Sequence, residues 1–164
     1  MKVDWPIFLG ALFITGSMAC TISQPEFATA TTSECTQHEL VQLGGGQGVI
    51  FPAGVGHVEG YHSNAIKEFW TPTLADTRLA ESQIESYLDL EAPSLVEKYR
   101  SYTRQYTGFN LEGRAFIFIQ FFCTPPEDWR CGPAVVDDGG DCYFHLEYDI
   151  AEERCKNLYI NGHA

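Results

Sequence analysis

The sequence predicts an α+β domain in which one main helix packs on a four- to five-stranded antiparallel sheet. A segment after Trp70 has helical periodicity, and β-rich runs separated by turn residues follow it to the C-terminus. Four of the six cysteines lie among these runs, so we expect disulfide bonds to staple the sheet. At 164 residues the chain has the length of one domain, with residues 70–164 as its helix-plus-sheet core.

Residues 1–19 have the features of a secretory signal peptide. Lys2 precedes an apolar run over residues 7–14, and Ser17 and Ala19 supply the small residues of a cleavage site. The run is too short to span a bilayer, which needs about 20 apolar residues. We therefore expect the protein to be exported.

Cys20 follows this leader directly, and the arrangement resembles a bacterial lipoprotein signal, in which the cysteine is lipidated and becomes the mature N-terminus. The alternative is cleavage without lipidation. Residues 20–34 are rich in Thr, Ser and Ala without apolar periodicity, which predicts a flexible spacer. The expected location is the bacterial cell envelope, through a lipid anchor on Cys20, or the extracellular space.

The charge balance restricts the partners. Ten basic residues against 22 acidic ones give a net charge of −12. Nucleic acid and anionic lipid surfaces are bound through clusters of Lys and Arg, which this chain lacks. We expect a protein, peptide or small-molecule partner, no nucleic acid, and membrane contact only through Cys20.

The domain is predicted over residues 35–164 and begins with a glycine-rich, irregular segment, residues 35–69. No G-K-[ST] follows the glycines, so turn-rich strands or loops are favoured over a phosphate-binding loop. The spacing of His38, His57 and His62 fits no metal-ligand motif, and we expect exposed loop histidines.

The main helix is predicted over residues 72–90, with Thr71 as its cap and Pro72 as its first residue. Pro93 ends it, and the run SLVEKYRSY adds another helical turn or two. The apolar positions at helical spacing, which form the predicted buried stripe, are Ala80, Ile84, Tyr87 and Leu88. The acidic positions expected on the solvent face are Glu81, Glu85 and Asp89.

Strands are predicted after the helix. The β-rich runs cover residues 103–110, 114–123, 134–138, 142–149 and 155–162. The first two are joined by a turn at Leu111-Glu112-Gly113. In the run CYFHLEYD, alternation places Cys142, Phe144, Leu146 and Tyr148 on one face and Tyr143, His145 and Glu147 on the other.

The run RAFIFIQFFC is apolar on both faces, and this predicts a binding surface. One face carries Ala115, Ile117, Ile119 and Phe121, and the other carries Phe116, Phe118 and Phe122. If one face packs under the helix, the second needs its own cover. We expect the 35–69 segment to fold back over this face. The alternative is a ligand, a second copy or a partner protein that binds at Phe116, Phe118 and Phe122, with a surface extended by Tyr143 and His145.

The acidic segment VVDDGGDCYF is interpreted as a sheet corner. Asp137, Asp138 and Asp141 surround Gly139 and Gly140, whose conformational freedom suits a bulge or turn. A weak calcium site and a catalytic carboxylate pair are the alternatives. The spacing lacks the alternate-position register of a calcium loop, and a single sequence shows no facing carboxylates.

The cysteines are expected to form two bridges. Cys123 ends one predicted strand and Cys142 begins another, so we expect them to pair, with Cys131–Cys155 as the second bridge and Cys35 left over. Close C-x₂-C pairs are absent, which disfavours zinc. We expect no metal and no cofactor.

Part of the chain resembles a group of small exported bacterial proteins of unknown function. The resemblance covers residues 69–164, and DGGDCYF and YINGHA are its most specific stretches. It implies export and a helix-on-sheet domain. The helix-then-four-strands order is also similar to the cystatin fold, whose members present a Q-x-V-x-G hairpin to cysteine proteases. Here Gln105-Tyr106-Thr107-Gly108 is one residue short and has no valine.

These observations favour a non-enzymatic envelope or extracellular binding module, and we assign no catalytic residue. The first alternative is a secreted hydrolase or metal-dependent enzyme, which would use His57, His62, His145, Glu147 or the aspartates. No G-x-S-x-G, H-E-x-x-H or Cys–His signature supports it. The second alternative is a cystatin-like inhibitor.

Overall fold

A computed structural model describes residues 38, 40–58 and 64–162. The predicted signal peptide, Cys20, the spacer, Cys35 and His62 lie outside these residues. The strands are β1 (Leu40–Leu43), β2 (Gly46–Ile50), β3 (Glu68–Trp70), β4 (Thr103–Leu111), β5 (Arg114–Phe122), β6 (Tyr143–Asp149) and β7 (Arg154–Ile160), and α1 spans Leu74–Glu91. No helix in this part of the chain is long and apolar enough to cross a membrane.

The sheet has seven strands in the order β1-β2-β4-β5-β6-β7, with β3 also paired to β4. The α+β class with one main helix is confirmed, but the sheet is larger than the predicted four or five strands. The 35–69 segment supplies the additional strands β1, β2 and β3, and the β2–β4 pairing is parallel. The predicted strand at 134–138 is wrong, because there only Asp138 makes a bridge, to Gly162.

Helix α1 begins two residues later than predicted, because Thr73 forms a complete capping box. The Thr73 hydroxyl accepts a hydrogen bond from the Asp76 amide (3.2 Å), and the Asp76 carboxylate accepts one from the Thr73 amide (3.0 Å). The predicted cap, Thr71, has Leu74 three residues later, and a leucine side chain cannot accept a hydrogen bond from the amide of the cap. Such a cap stabilises a helix by about 1 kcal/mol.

The two faces of the sheet alternate as predicted. Ile117, Ile119 and Phe121 pack with α1 in one apolar cluster. On the opposite face, which we call the outer face, Phe116 and Phe118 form a second cluster with Phe109 and Val58. The sheet therefore has an apolar layer on both sides.

The acidic segment forms a corner at the end of the sheet, as predicted. Gly139 and Gly140 have positive φ angles of 106° and 58°, and a short 3₁₀ turn over Gly140–Cys142 leads into β6. The amides of both glycines donate to the carbonyl of Gly162 at 2.9 Å. The corner thus connects the DGGD stretch to the residues that follow β7.

The Cys123–Cys142 disulfide is confirmed, with a Cα–Cα distance of 4.9 Å. Cys131 is also disulfide-bonded, but Cys155 is a free, buried thiol, so the predicted Cys131–Cys155 bridge is wrong. Cys155 pairs with Tyr148 on the helix side of the sheet. Cys131 lies in the loop over residues 124–136, which packs on the outer face.

An ion pair between helix and sheet corrects the prediction for Glu81. Glu81 was expected on the solvent face, yet it is 9 % exposed, and its Oε1 lies 3.0 Å from Nε of the fully buried Arg104. The Tyr106 hydroxyl donates to the same oxygen at 2.7 Å. Burial raises the pKa of Glu81, while the Arg104 charge and the Tyr106 hydrogen bond oppose that rise.

Arg104 also holds the irregular chain around it. Its guanidinium donates to the carbonyls of Tyr102 (2.7 Å), Tyr99 (3.1 Å) and Gly44 (3.3 Å). Gly44 is in the β1–β2 turn with φ 58°, and a Cβ there would lie 1.8 Å from Glu81 Oε2. The glycine-rich sequence is therefore required where the β1–β2 hairpin packs on the ion pair.

We predict that Glu81→Leu destabilises the protein by about 3–5 kcal/mol, because the variant leaves the Arg104 guanidinium buried without a counter-charge. The matched control is Glu85→Leu on the same helix, where an exposed pair with Arg100 is lost and the change should stay within about 1 kcal/mol. Urea unfolding measures both. Adding Arg104→Met to Glu81→Leu should recover part of the loss, because the unpaired charge is removed while the carbonyls of Tyr99, Tyr102 and Gly44 lose their donor. Equal stability of the two single variants would contradict the assignment.

Candidate functional site

The candidate site is a strip of side chains on the outer face of the last two strands. We define the outer-face strip as Tyr143, His145, Glu147, Asn157 and Tyr159. Alternation along β6 directs its first three members outward, and the ladder pairs His145 with Tyr159 of β7. The strip lies at the end of the sheet, because β7 is the last strand in the described order.

A β-bulge brings Tyr159 to this face. Glu147 pairs with Lys156, whereas His145 pairs with Tyr159, so β7 contains one more residue than β6 between these pairs. Asn157 adopts a positive φ of 54° there, a conformation that asparagine tolerates. Without the extra residue, Leu158 would oppose His145 and Tyr159 would face the helix side.

Three aromatic rings stack from the sheet centre to its edge. The ring of buried Phe118 lies 4.7 Å from the His145 ring, which lies 5.1 Å from the Tyr159 ring at an interplanar angle of 21°. Tyr159 is 56 % exposed. Stacked rings are rigid and offer an apolar surface. The strip therefore ends in a supported, solvent-accessible aromatic ring.

His145 is half-buried and neutral. Burial lowers its pKa to about 4, so the imidazole carries no charge at neutral pH and has one donor and one acceptor nitrogen. No hydrogen bond or ion pair joins His145 to another residue within the described ranges; its contacts there are the rings of Phe118 and Tyr159. Its hydrogen-bonding capacity is therefore open to water or a ligand.

The neighbouring charges are satisfied within the protein. Glu147 is buried, and its Oε2 accepts a hydrogen bond from the Asn157 side-chain amide at 2.7 Å. The next outward residue of β6, Asp149, is fully buried; its carboxylate binds Lys156 at 2.6 Å and also contacts Arg114. Burial raises the pKa of Asp149, but the hydrogen bonds and charges of Lys156 and Arg114 outweigh that effect and lower it.

The structure covers three of the predicted binding residues. Phe116, Phe118 and Phe122 are buried, with Val58 and the half-buried Ile66 and Phe69 packed in the cluster of the first two. Residues of the 35–69 segment thus cover this face of the sheet, as expected. A binding role of these residues, together with the half-buried Tyr143 and His145, stays a prediction.

The loop over residues 124–136 covers the remainder of this face. The Gln105 side-chain amide donates to the carbonyls of Trp129 (2.5 Å) and Gly132 (3.0 Å) and accepts from the Ala134 amide (2.9 Å). The Tyr143 hydroxyl donates to the carbonyl of Thr124 at 3.1 Å. Tyr143 therefore lies between the loop and the exposed part of the strip.

The other candidate residues are not brought together. Cys155 and His145 are on opposite faces of the sheet, and burial raises the pKa of the Cys155 thiol to about 12. His57 is exposed, away from the helix-side core. Gln105-Tyr106-Thr107-Gly108 is buried within β4, which is paired on both sides, so it forms no exposed hairpin.

A concave feature lies at the β4–β5 turn. This open cleft of about 480 Å³ is lined by Ala65, Lys67, Glu68, Asn110, Glu112, Gly113 and Ala115. The Asn110 amide donates to Glu68 at 2.9 Å across it. Within residues 38, 40–58 and 64–162, no three His, Cys, Asp or Glu side chains converge as metal ligands.

Searches against protein-family models, curated proteins and solved structures found no significant match. The strip is therefore interpreted from its own geometry. Tyr159, Asn157 and the bulge were missed in the sequence, where the available signal was an asparagine inside a β-rich run.

We predict that His145 makes stability depend on pH. The folded pKa of about 4 lies below the ordinary value of 6.5, so the unfolded chain binds a proton that the folded chain does not. This contribution is fully present above pH 6.5 and is lost as the pH falls towards 4, for a total of about 3 kcal/mol.

The measurement compares unfolding free energies of wild type and His145→Phe between pH 4 and 7, since phenylalanine keeps the ring stack and does not titrate. On acidification, the free energy of unfolding should fall more in wild type than in His145→Phe. Parallel profiles would contradict the buried, neutral imidazole.

Proposed function

We propose that this chain is an exported, non-enzymatic binding module of the cell envelope or extracellular space, and that it recognises its ligand through the outer-face strip. The observation that carries the proposal is the stack of Phe118, His145 and Tyr159, in which an exposed tyrosine and a histidine with unused hydrogen-bonding groups lie on a rigid sheet. Binding sites combine aromatic side chains with a few fixed polar groups in this way.

The proposed cystatin-like arrangement rests on α1 followed by the antiparallel strands β4, β5, β6 and β7. Cystatin-type inhibition has less support than ligand binding, because the segment that corresponds to the inhibitory hairpin is buried inside β4. Hydrolysis by a Cys–His pair also has less support, because Cys155 and His145 lie on opposite sides of the sheet.

Export and the lipid anchor are proposed from the leader and from Cys20. We predict that Cys20→Ala releases the protein from the membrane fraction or stalls its processing, since the variant has no thiol to lipidate. Fractionation and mass spectrometry of the N-terminus measure this. An unmodified Cys20 N-terminus on the wild-type protein would leave the leader as an ordinary secretory signal.

We predict that Tyr159→Ala abolishes binding without unfolding the domain, because Tyr159 is exposed at the sheet edge. The test is chemical cross-linking in the native envelope, followed by mass spectrometry of the cross-linked residue pairs. The control is Leu90→Ala, which removes an apolar side chain that is 81 % exposed on α1. A protein or peptide ligand should give cross-links that map to the strip in wild type and Leu90→Ala and that are lost in Tyr159→Ala. Cross-links that persist in Tyr159→Ala would exclude the strip.

A further inference from the structure

We infer that the outer-face strip binds neutral sugar rings, such as those of an envelope or extracellular polysaccharide, with one ring stacked on Tyr159. This inference rests on the proposed function and names its ligand class. Three features of the strip carry it: the exposed aromatic ring, the neutral hydrogen-bonding groups beside that ring, and the pairing of the nearby charges.

The Tyr159 ring provides the platform. One side of it stacks on His145, and Tyr159 is 56 % exposed on the last strand in the described order, so part of the ring is accessible to a ligand. A pyranose ring has a face of C–H bonds with partial positive charge, which complements the negative face of an aromatic ring. Phe118 and His145 hold the platform in place from beneath, so little conformational entropy is lost on binding.

The polar groups beside the platform suit hydroxyl groups. Neutral His145 offers one N–H donor and one nitrogen acceptor, and the exposed Asn157 amide retains an oxygen acceptor while its nitrogen donates to Glu147. A sugar hydroxyl both donates and accepts, so it can use either kind of group. A ligand without such groups would leave the half-buried imidazole unsatisfied.

The charges near the strip favour a neutral ligand. Lys156 is paired with Asp149, and Arg154 is paired with Glu152 at 2.5 Å, so an acidic sugar would have to compete with these carboxylates. The carboxylate of the strip itself, Glu147, is buried against Asn157 and offers no free charge to a cation. The net charge of −12 further repels anionic polymers.

The test titrates the mature, exported protein with cellotetraose and with tetra-N-acetylchitotetraose, which are neutral, and with tetragalacturonate, which is anionic. Heteronuclear NMR follows the side-chain signals of His145 and Tyr159. We expect these signals to shift with a neutral tetrasaccharide, with a Kd of about 1 mM or tighter, and not with tetragalacturonate.

The variants separate stacking from hydrogen bonding. Tyr159→Ala should weaken the affinity at least about tenfold, and His145→Phe, which keeps the ring stack, should weaken it several-fold through lost hydrogen bonds. Leu90→Ala should bind as wild type does. An unchanged Kd in Tyr159→Ala would overturn the inference, as would binding of tetragalacturonate in preference to both neutral sugars.

The cross-linking experiment distinguishes a wrong ligand class from a wrong binding function. If no neutral sugar shifts the strip while Tyr159-dependent cross-links to a protein or a proline-rich peptide are found, the ligand class is wrong and the binding function stands. If neither sugars nor cross-links involve the strip, both are wrong.

Discussion

The fold depends on one buried guanidinium. Arg104 connects its own strand, β4, to three other parts of the chain: Glu81 of the helix, Gly44 of the β1–β2 hairpin, and the Tyr99 and Tyr102 carbonyls that precede β4. Its ring contacts with Tyr99 and Phe121 enclose it in apolar surface. A buried ion pair adds little net stability over apolar residues of the same size, but it strongly penalises any arrangement that leaves one partner alone. Arg104 therefore determines how the helix and the glycine-rich hairpin meet the sheet.

This constraint explains which elements the sequence predicts. The strands β4, β5 and β6 are β-rich runs bounded by turn residues, and a single helix with helical periodicity precedes them, so local patterns are sufficient to locate these elements. Glu81 was placed on the wrong face because its partner, Arg104, lies in the next element, and a spacing rule along a helix contains no such information. The strands β1, β2 and β3 are short, and the β1–β2 hairpin depends on the fit of Gly44 against the ion pair rather than on alternation.

The candidate site, too, could be predicted only in part from local alternation. Alternation was sufficient to place Tyr143, His145 and Glu147 on one face, as the ladder confirms. It could not place Tyr159, because the bulge at Asn157 shifts β7 by one residue and reverses which side chains face outward. The need to bury a second apolar face did indicate a cover over Phe116 and Phe118, but alternation could not identify the covering residues, which precede the helix. In each case the direction or the burial of a side chain depends on a distant part of the chain or on a one-residue irregularity.

Together, these features leave one part of the outer face available. The 35–69 segment covers the phenylalanines at one end, Gln105 holds the loop over residues 124–136 at the other, and Asp149 neutralises the cations below. What stays open is the edge with His145 and Tyr159. The Gln105 side chain makes three hydrogen bonds with the loop, so opening the loop to expose more apolar surface would cost several hydrogen bonds at once. A ligand that binds this protein without unfolding part of it therefore meets a small, neutral, aromatic surface, and this accessibility is the physical reason for assigning recognition to the strip.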